Sequence, residues 1–280
     1  ENLGIIGESG CGKSTLSRLI SLLEKSDSGT ISFNGEDLTD LNKNKIKNFR
    51  QSLQLILQDP YNSLPSRQTI GRIISEGLFI QSNLNKKEIK EKVLFTMEEV
   101  GLDKEEYNKL LVGKSGGFRQ RVSIARALIL EPKVIILDET LSSLDQNEQN
   151  KLLSLFKQIQ QKRNLTYIFI SHDLAMVRKS CNRIAVMYMG RTVELAKNDT
   201  LFNNCRHPYT RTLLCTIPTL DKNPYDKKLY LMDGEPPDPT EVGKGCSFNT
   251  RCPNPTHECK EGSIEMGLIE IAPGHLVDQC

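Results

Sequence analysis

The chain has 280 residues, of which 38% are hydrophobic and 26% charged, as in ordinary globular proteins. Its 37 basic and 35 acidic side chains leave a formal net charge of +2, which excludes the strongly basic footprint of a nucleic-acid-binding domain. No apolar run approaches the roughly 18 residues that cross a bilayer. The start, Glu1 to Gly4, lacks the charged and apolar regions of a signal peptide. We therefore expect a cytosolic protein that contacts a membrane only through a partner.

The first half of the chain alternates short apolar runs with amphipathic stretches. These patterns predict strands at residues 3–6, 31–33 and 53–57, a helix from Lys13 to about Leu23, and a helical region from 69 to 128 interrupted at Asn83 and Gly101-Leu102-Asp103. The alternation of strands and helices predicts an α/β domain.

The second half continues this alternation up to about residue 205. Buried strands are predicted at 134–137 and 167–170, a helix at 147–162, and a hairpin of strands 184–188 and 191–195 around Gly190. Nine of the twelve prolines then follow residue 205. We expect a nucleotide-binding domain at 1–205, with a helical subdomain at about 60–128, and a small, separate, loop-rich module at 206–280.

A glycine-rich segment follows the first predicted strand and fits the phosphate-loop pattern G-x-x-x-x-G-K-[ST] without a mismatch. Such a loop folds its backbone N–H groups around phosphate oxygens, and the helix behind it points its positive end at the same anion. In this pattern Lys13 reaches the β- and γ-phosphates, while the Ser14 hydroxyl binds Mg²⁺. The candidate phosphate-binding residues are Gly7, Glu8, Ser9, Gly10, Cys11, Gly12, Lys13, Ser14 and Thr15.

Two carboxylates follow the buried strand Val134 to Leu137. Asp138 and Glu139 should therefore lie at the carboxyl edge of a sheet, where ligands bind in α/β folds. We expect Asp138 to hold the Mg²⁺ shell and Glu139 to polarise the attacking water.

Further motifs narrow the class of nucleotide-binding protein, because they resemble those of the ABC ATPase family in the family's order. Ser115-Gly116-Gly117 with Arg119 to Leu128 resembles the signature helix, and Gln58-Asp59-Pro60 resembles the Q-loop. Ser142 to Asp145 resembles the D-loop, and Ile170-Ser171-His172-Asp173 resembles the switch histidine. The resemblance covers residues 3 to about 200.

The resemblance implies a RecA-like P-loop NTPase core with a helical subdomain, and two such domains that face each other head to tail. Each ATP then lies between one phosphate loop and the opposite signature helix. Ser115, Gly116 and Gly117 would contact the partner's γ-phosphate, and Asp145 would act across the interface. Gln58 would contact Mg²⁺ and water, and His172 the γ-phosphate.

The sequence also departs from the family pattern. Lys114 stands where the family usually has Leu, Phe118 where it has Gln, and Thr140-Leu141 where it has Pro-Thr. The chain begins one strand before the phosphate loop and without Met, so we expect an N-terminal truncation that removes the adenine-stacking residue.

The tail resembles that of oligopeptide/dipeptide importer ATPases, which nickel and metallophore importers share. The resemblance rests on the segment Arg206 to Leu214 with its His-Pro-Tyr, on Gly234-Glu235-Pro236-Pro237, and on Gly245 to Pro253. It implies, as partners, a second and related ATPase subunit, transmembrane permease subunits, and indirectly an extracytoplasmic binding protein. It also implies a place at the cytoplasmic face of the membrane.

Four cysteines lie near the C-terminus, namely Cys246, Cys252, Cys259 and Cys280. Four thiolates can hold an iron–sulfur cluster or tetrahedral zinc, and the resembled subfamily associates this pattern with an iron–sulfur cluster. Their spacings of five, six and twenty residues match neither the short ferredoxin run nor paired C-x₂-C zinc sites. Free thiols remain an alternative, and His257 or His275 could replace a thiolate, although exposed histidines without a ligand are the more ordinary interpretation.

Two other functions stay open at this point. A soluble ABC ATPase of DNA repair or translation usually carries two cassettes or a long coiled-coil insertion, and this chain has neither. A regulatory subunit that binds nucleotide without turnover is suggested by Lys114, Phe118 and Thr140.

Overall fold

The computed structural model describes residues 1–39, 42–142, 144–216, 237, 245–263 and 266–279. Contacts within the chain divide it into two compact units. Unit 1 comprises Glu1–Ser14 and Phe169–Cys280, and unit 2 comprises Thr15–Ile168. Across the described ranges, no helix is both long and apolar enough to cross a membrane.

Strands and helices alternate as the sequence predicts, which confirms the α/β class. The strands are β1 (Asn2–Ile6), β2 (Ser32–Phe33), β3 (Glu36–Asp37), β4 (Leu53–Ile56), β5 (Val134–Asp138), β6 (Thr166–Ile170), β7 (Arg183–Tyr188), β8 (Arg191–Lys197), β9 (Leu268–Ala272) and β10 (His275–Asp278). The α-helices are α1 (Lys13–Ile20), α2 (Lys43–Ser52), α3 (Pro60–Ser63), α4 (Ile70–Gln81), α5 (Lys86–Glu99), α6 (Gly116–Leu128), α7 (Gln146–Arg163), α8 (Leu174–Ser180), α9 (Asn198–Asn204), α10 (Pro208–Cys215) and α11 (His257–Glu261). A 3₁₀ turn covers Lys104–Glu106.

The sheet of unit 1 mixes parallel and antiparallel pairs in the order β1-β7-β8-β10-β9. Strand β1 runs parallel to β7, with Ile6 opposite Val186. Strands β7 and β8 form the predicted antiparallel hairpin around Gly190. Apolar side chains of β1 and β7 are buried, with Ile6 and Val186 both 0% exposed. This pairing fixes the end of β1, from which the phosphate loop starts.

In unit 2, β4 runs parallel to β5, with Ile56 opposite Leu137. The next strand, β6, begins beside β5, where the Thr166 N–H donates to the Lys133 carbonyl at 3.0 Å. Parallel neighbours end at the same edge of a sheet. Gln58, just after β4, and Asp138, at the end of β5, therefore lie at one edge.

The helical region of unit 2 is interrupted at the two places that the sequence predicts, and also at residues 107–115, between the 3₁₀ turn and α6. Helices α4, α5 and α6 are N-capped by Thr69, Asn85 and Ser115, whose side chains accept backbone N–H bonds of the first turn. For α5 the cap is a reciprocal box with Glu88. Apolar side chains between these helices, such as Ile73, are 0% exposed. The caps fix where each helix starts, and α6 starts at the Ser-Gly-Gly motif.

The tail after residue 205 is less separate than the sequence suggests. Strand β10 joins the sheet by antiparallel pairing with β8. Phe248 is 1% exposed, and its ring centroid lies 5.3 Å from that of Tyr188 and 5.5 Å from that of Tyr209. The proline content predicts loops. The contacts of these aromatic rings and the pairing of β10 nevertheless join much of the described tail to the rest of unit 1.

A buried carboxylate also ties the tail to the sheet. Glu194 in β8 is 0% exposed, and its oxygens accept the backbone N–H groups of Arg206 and His207 at 2.8 and 3.0 Å. His275 Nε2 lies 2.7 Å from Glu194 Oε1. His275 is thus buried beside a carboxylate, which corrects the expectation of an exposed histidine. His257 is exposed, with Nδ1 at 3.1 Å from Glu261 Oε2.

Candidate nucleotide site

The phosphate loop joins β1 to α1, so a strand, a loop and a helix follow one another as the motif requires. Two glycines are favoured here, Gly7 because a side chain has no space and Gly12 because of its backbone conformation. A Cβ on Gly7 would lie 2.2 Å from the Met187 carbonyl oxygen. Gly12 has φ of +101° and a Cβ there would lie 3.4 Å from Gly190 Cα. The loop therefore packs closely on the turn between β7 and β8, where the Gly190 N–H donates to the Cys11 carbonyl at 2.8 Å.

The Lys13 side chain folds back onto the phosphate loop. Its side chain is 5% exposed, and Nζ donates to the carbonyl oxygens of Gly7 and Glu8, both at 2.8 Å. Cys11 Sγ lies 3.7 Å from the same ammonium, but burial dominates and raises the pKa of the Cys11 thiol. Lys13 and the Cys11 thiol thus lie side by side in the loop.

Glu8 is anchored by residues that the sequence analysis did not connect with the loop. Its backbone N–H donates to Tyr209 Oη at 2.9 Å. Its carboxylate oxygens accept from Arg251 Nη1 and Nη2 at 2.7 and 3.0 Å. These hydrogen bonds raise the pKa of Arg251 above its usual value. Both partners lie in segments read only as subfamily markers, and a separation of 243 residues between Glu8 and Arg251 leaves no local signal.

The predicted switch histidine follows β6. The Ser171 N–H donates to the Ile5 carbonyl of β1 at 3.1 Å, so the end of β6 runs beside the strand that leads into the phosphate loop. His172 is exposed at this point. Asp173 then caps α8 by accepting the Met176 N–H at 3.0 Å. Unit 1 therefore brings His172 and the phosphate loop to the ends of neighbouring chain segments.

The carboxylates Asp138 and Glu139 lie in unit 2. Asp138 is 5% exposed, and its Oδ2 accepts the Ser17 hydroxyl at 3.1 Å. Ser17 stands one turn after Ser14 along α1, the helix that continues the phosphate loop. Glu139 has φ of +48°, a left-handed conformation that costs roughly 1–2 kcal/mol for a residue other than glycine. Strained backbone of this kind clusters at functional sites.

Thr15 is an exposed residue of α1. Five other predicted residues of unit 2 share one cavity of about 1330 Å³. Its lining includes Gln58, Ser115, Gly116, Gly117 and Asp145. The α6 N-terminus opens here, where a helix favours anions. Ser115 Oγ accepts the Phe118 N–H at 3.4 Å, and Asp145 caps α7 by accepting the N–H groups of residues 147 and 148. Both side chains thus have a helix-capping role in addition to the predicted one.

The departures from the family pattern have local partners. Lys114 forms an ion pair with Glu106, and its ammonium lies 4.7 Å from the centroid of the Phe118 ring. Hydrogen bonds from Lys109 and Lys114 lower the pKa of Glu106. Thr140 is 2% exposed. These residues therefore pack within unit 2, where α6 begins at Gly116.

The predicted cysteine site is described only in part, because Cys280 lies outside the described residues. Cys246 and Cys259 are buried and Cys252 is partly exposed. Burial raises the pKa of the Cys252 thiol. In the part of the chain that the structure covers, no group of three or more His, Cys, Asp or Glu side chains is arranged to hold a metal ion.

These features define a class. A glycine-rich loop between a buried strand and a helix, an ammonium folded over that loop, and a second buried strand ending in Asp-Glu are the parts of a P-loop nucleoside triphosphatase.

Comparison with known proteins narrows the class. The ABC transporter family model matches residues 1–142, and the model of the oligopeptide/dipeptide transporter C-terminal region matches residues 193–259. The dipeptide transport ATP-binding protein DppF of Escherichia coli is 43% identical over 253 residues, covering 90% of this chain and 75% of that protein. The oligopeptide transport ATP-binding protein AppF of Bacillus subtilis is 42% identical over 279 residues, covering 99% and 84%.

Comparison with solved structures indicates the same family. CbiO1 of Clostridium perfringens, part of an ABC transporter complex, superimposes with a TM-score of 0.66 at 30% identity, covering 73% of this chain and 80% of that one. An ATP-binding cassette solved as a dimer in a post-hydrolysis state, with ADP and Pi, gives a TM-score of 0.64 at 25% identity, covering 71% and 85%. The chain belongs to the ABC transporter family, as an ATP-binding subunit that hydrolyses ATP to energise an importer. The ABC ATPase fold predicted from the motifs is confirmed.

Proposed function

We propose that this chain binds ATP through its phosphate loop and hydrolyses it with Glu139 as the residue that activates water. The observation that carries this proposal is the loop itself, closed on the β7–β8 turn with Lys13 Nζ held 2.8 Å from two of its carbonyls. A lysine held this close needs only to change partners to contact phosphate oxygens. His172 contacts the γ-phosphate in this proposal.

The donor chemistry also fits Mg²⁺. This ion prefers hard oxygen ligands. Ser14 would supply a hydroxyl, Asp138 a carboxylate and Gln58 an amide oxygen. When bound, the ion would neutralise charge on the phosphates. The Asp138 carboxylate is already oriented by Ser17.

We further propose that Ser115, Gly116, Gly117 and Asp145 act on the nucleotide of a second ATPase subunit. The α6 N-terminus at the cavity supports this, since backbone N–H groups there suit a γ-phosphate. The dimeric arrangement of a solved relative with ADP and Pi supports it as well. The partner subunit can be a related chain rather than a copy.

For the cargo we propose peptides, on the strength of the C-terminal family match and of relatives named for dipeptide and oligopeptide transport. Nickel or metallophore complexes are the competing cargo class. The chain would then lie at the cytoplasmic face of the membrane, bound to permease subunits and served by an extracytoplasmic binding protein.

The test is ATP turnover of the chain assembled with its membrane subunits, with binding protein loaded with dipeptide, oligopeptide or a nickel chelate. Stimulation by peptide and its loss in Lys13→Ala are expected. Stimulation by the nickel chelate alone would replace the peptide assignment, and unchanged turnover in Lys13→Ala would overturn the proposed site.

For the tail cysteines, the iron–sulfur or zinc assignment remains a prediction from the sequence, and no step is assigned to it. Metal analysis and visible absorption of the anaerobically purified chain, compared with Cys252→Ser, test it. Iron with sulfide, zinc, or neither would select among the cluster, the zinc site and free thiols.

A further inference from the structure

The tail of unit 1 reaches the phosphate loop at Glu8, which forms an ion pair with Arg251 and a backbone hydrogen bond with Tyr209. The Arg251 side chain is 5% exposed and engages both carboxylate oxygens of Glu8, whose side chain is 23% exposed. Two parallel N–H···O bonds of 2.7 and 3.0 Å form the bidentate fork that arginine makes with carboxylates. Exposed ion pairs contribute little, but this pair is largely withdrawn from water and its geometry is fixed by two bonds.

Aromatic rings hold the arginine in place. The guanidinium carbon lies 5.9 Å from the Tyr188 ring centroid, and Nη1 lies 3.5 Å from Tyr188 Oη. Tyr188 in turn packs on Tyr209, with ring centroids 4.6 Å apart, and on Phe248 at 5.3 Å. The guanidinium that donates to Glu8 is thus fixed by its contacts with a packed aromatic cluster.

Glu8 transmits this constraint to Lys13. Its backbone N–H is bound by Tyr209 Oη at 2.9 Å, and its carbonyl oxygen accepts Lys13 Nζ at 2.8 Å. The same residue therefore has its carboxylate, its N–H and its carbonyl all engaged. The carboxylate and the N–H of Glu8 bond to the tail, and its carbonyl oxygen bonds to Lys13.

We propose that Arg251 and Tyr209 are positioning residues for ATP binding, which hold Glu8 so that the phosphate loop and Lys13 are preorganised for the triphosphate. The inference rests on the proposed role of the phosphate loop. A preorganised loop binds the ground state and the transition state about equally, so its loss raises KM with little change in kcat. The tail thereby sets the affinity for ATP.

The experiment measures the Kd of the purified chain for a fluorescent ATP analogue, and KM and kcat in the assembled transporter. For Arg251→Met we expect Kd and KM to rise by about tenfold, as for one charge-assisted hydrogen bond, with kcat changed less than about twofold. Arg251→Lys should recover only part of the affinity, because an ammonium lacks the planar fork. The exchange of both charges, Glu8→Arg with Arg251→Glu, should recover part of what each single variant loses.

The matched control is Arg183→Met. Arg183 lies in the same unit, at the start of β7 opposite Leu3, and pairs with Glu1 at 3.7 Å. The phosphate loop follows the other end of β1, so the Kd of this variant for the ATP analogue should stay at the wild-type value. An equal rise in Kd in both arginine variants, or no rise in Arg251→Met with its melting temperature unchanged, would overturn the inference.

A milder variant covers the case in which Arg251→Met does not fold. Tyr209→Phe removes only the oxygen that accepts the Glu8 N–H, and Tyr107→Phe in unit 2 is its control. We expect a severalfold rise in Kd for Tyr209→Phe alone, and equal Kd values for the two would refute the role of Tyr209.

Lys13→Ala separates the proposed function from this inference. Unchanged ATP binding in Lys13→Ala would overturn the proposed phosphate site. Loss of ATP binding in Lys13→Ala, with normal binding in Arg251→Met and Tyr209→Phe, would overturn only the proposed role of Arg251 and Tyr209.

Discussion

The phosphate loop of unit 1 and the signature cavity of unit 2 are positioned in different ways. The loop is held from outside by a β-hairpin turn, by Tyr209 and by Arg251, all more than 170 residues away in sequence. The start of α6 is held locally, by its own cap Ser115 and by the neighbouring Lys114. A loop that closes around a small anion depends on contacts with other segments to keep its conformation. A helix terminus keeps its conformation through its own backbone hydrogen bonds. Substitutions should therefore have larger effects on the loop than at the α6 start.

The largest effect is expected for Glu139→Gln. The amide keeps the shape of the side chain but cannot take a proton from water, so turnover should fall by about 10²–10⁴-fold while ATP binding survives. ATPase assays of the assembled transporter together with nucleotide binding measure this, and Glu91→Gln on the exposed face of α5 is the control. Retained turnover in Glu139→Gln would mean that another group activates water.

This contrast also explains what could be predicted from sequence. Residues close in sequence determine the strand, loop and helix around Lys13, the Asp138-Glu139 pair and the start of α6. Hydrophobic periodicity and helix caps can therefore predict these features. The Arg251 contact with Glu8 and the Glu194 contact with His275 depend on how distant segments pack, and no periodicity encodes that. The sequence alone therefore does not predict that His275 is buried beside Glu194.

The next effect is expected for Gly7→Ala. The new Cβ would lie 2.2 Å from the Met187 carbonyl oxygen, so loop or hairpin must shift, at a cost of about 1–3 kcal/mol for overpacking. Chemical denaturation and ATP binding should both report the loss. Gly10→Ala is the matched variant, since no atom lies within 4 Å of its added Cβ and only its φ of +79° opposes the change, at roughly 1–2 kcal/mol.

If both glycine variants lose stability equally but only Gly7→Ala loses ATP binding, contact with the hairpin rather than backbone strain shapes the loop. Equal ATP binding by Gly7→Ala and wild type would contradict the view that outside walls hold the loop.

A smaller effect is expected for Ser115→Ala in unit 2. Removing this cap should cost about 1 kcal/mol of stability, as for other N-caps. Thr69→Ala removes the cap of α4, away from the cavity lining, and is the control. Any loss of turnover in Ser115→Ala beyond that in Thr69→Ala measures the proposed contact with the partner's nucleotide, and equal losses would leave Ser115 with a capping role alone.

The smallest effect concerns the thiol in the phosphate loop. Burial raises the pKa of Cys11, and the thiolate is the reactive form, so at about pH 8 this cysteine should react with iodoacetamide more slowly than an exposed cysteine. Because the raised pKa leaves less thiolate at a given pH, the rate should keep increasing beyond the pH at which a free thiol has levelled off. Mass spectrometry of the modified peptide measures this, with the urea-unfolded chain as the reference for full exposure. Cys252, which is only partly buried, should be modified before Cys11. Rapid modification of Cys11 in the folded chain would mean that the loop opens often, and would weaken the case that the hairpin, Tyr209 and Arg251 hold it closed.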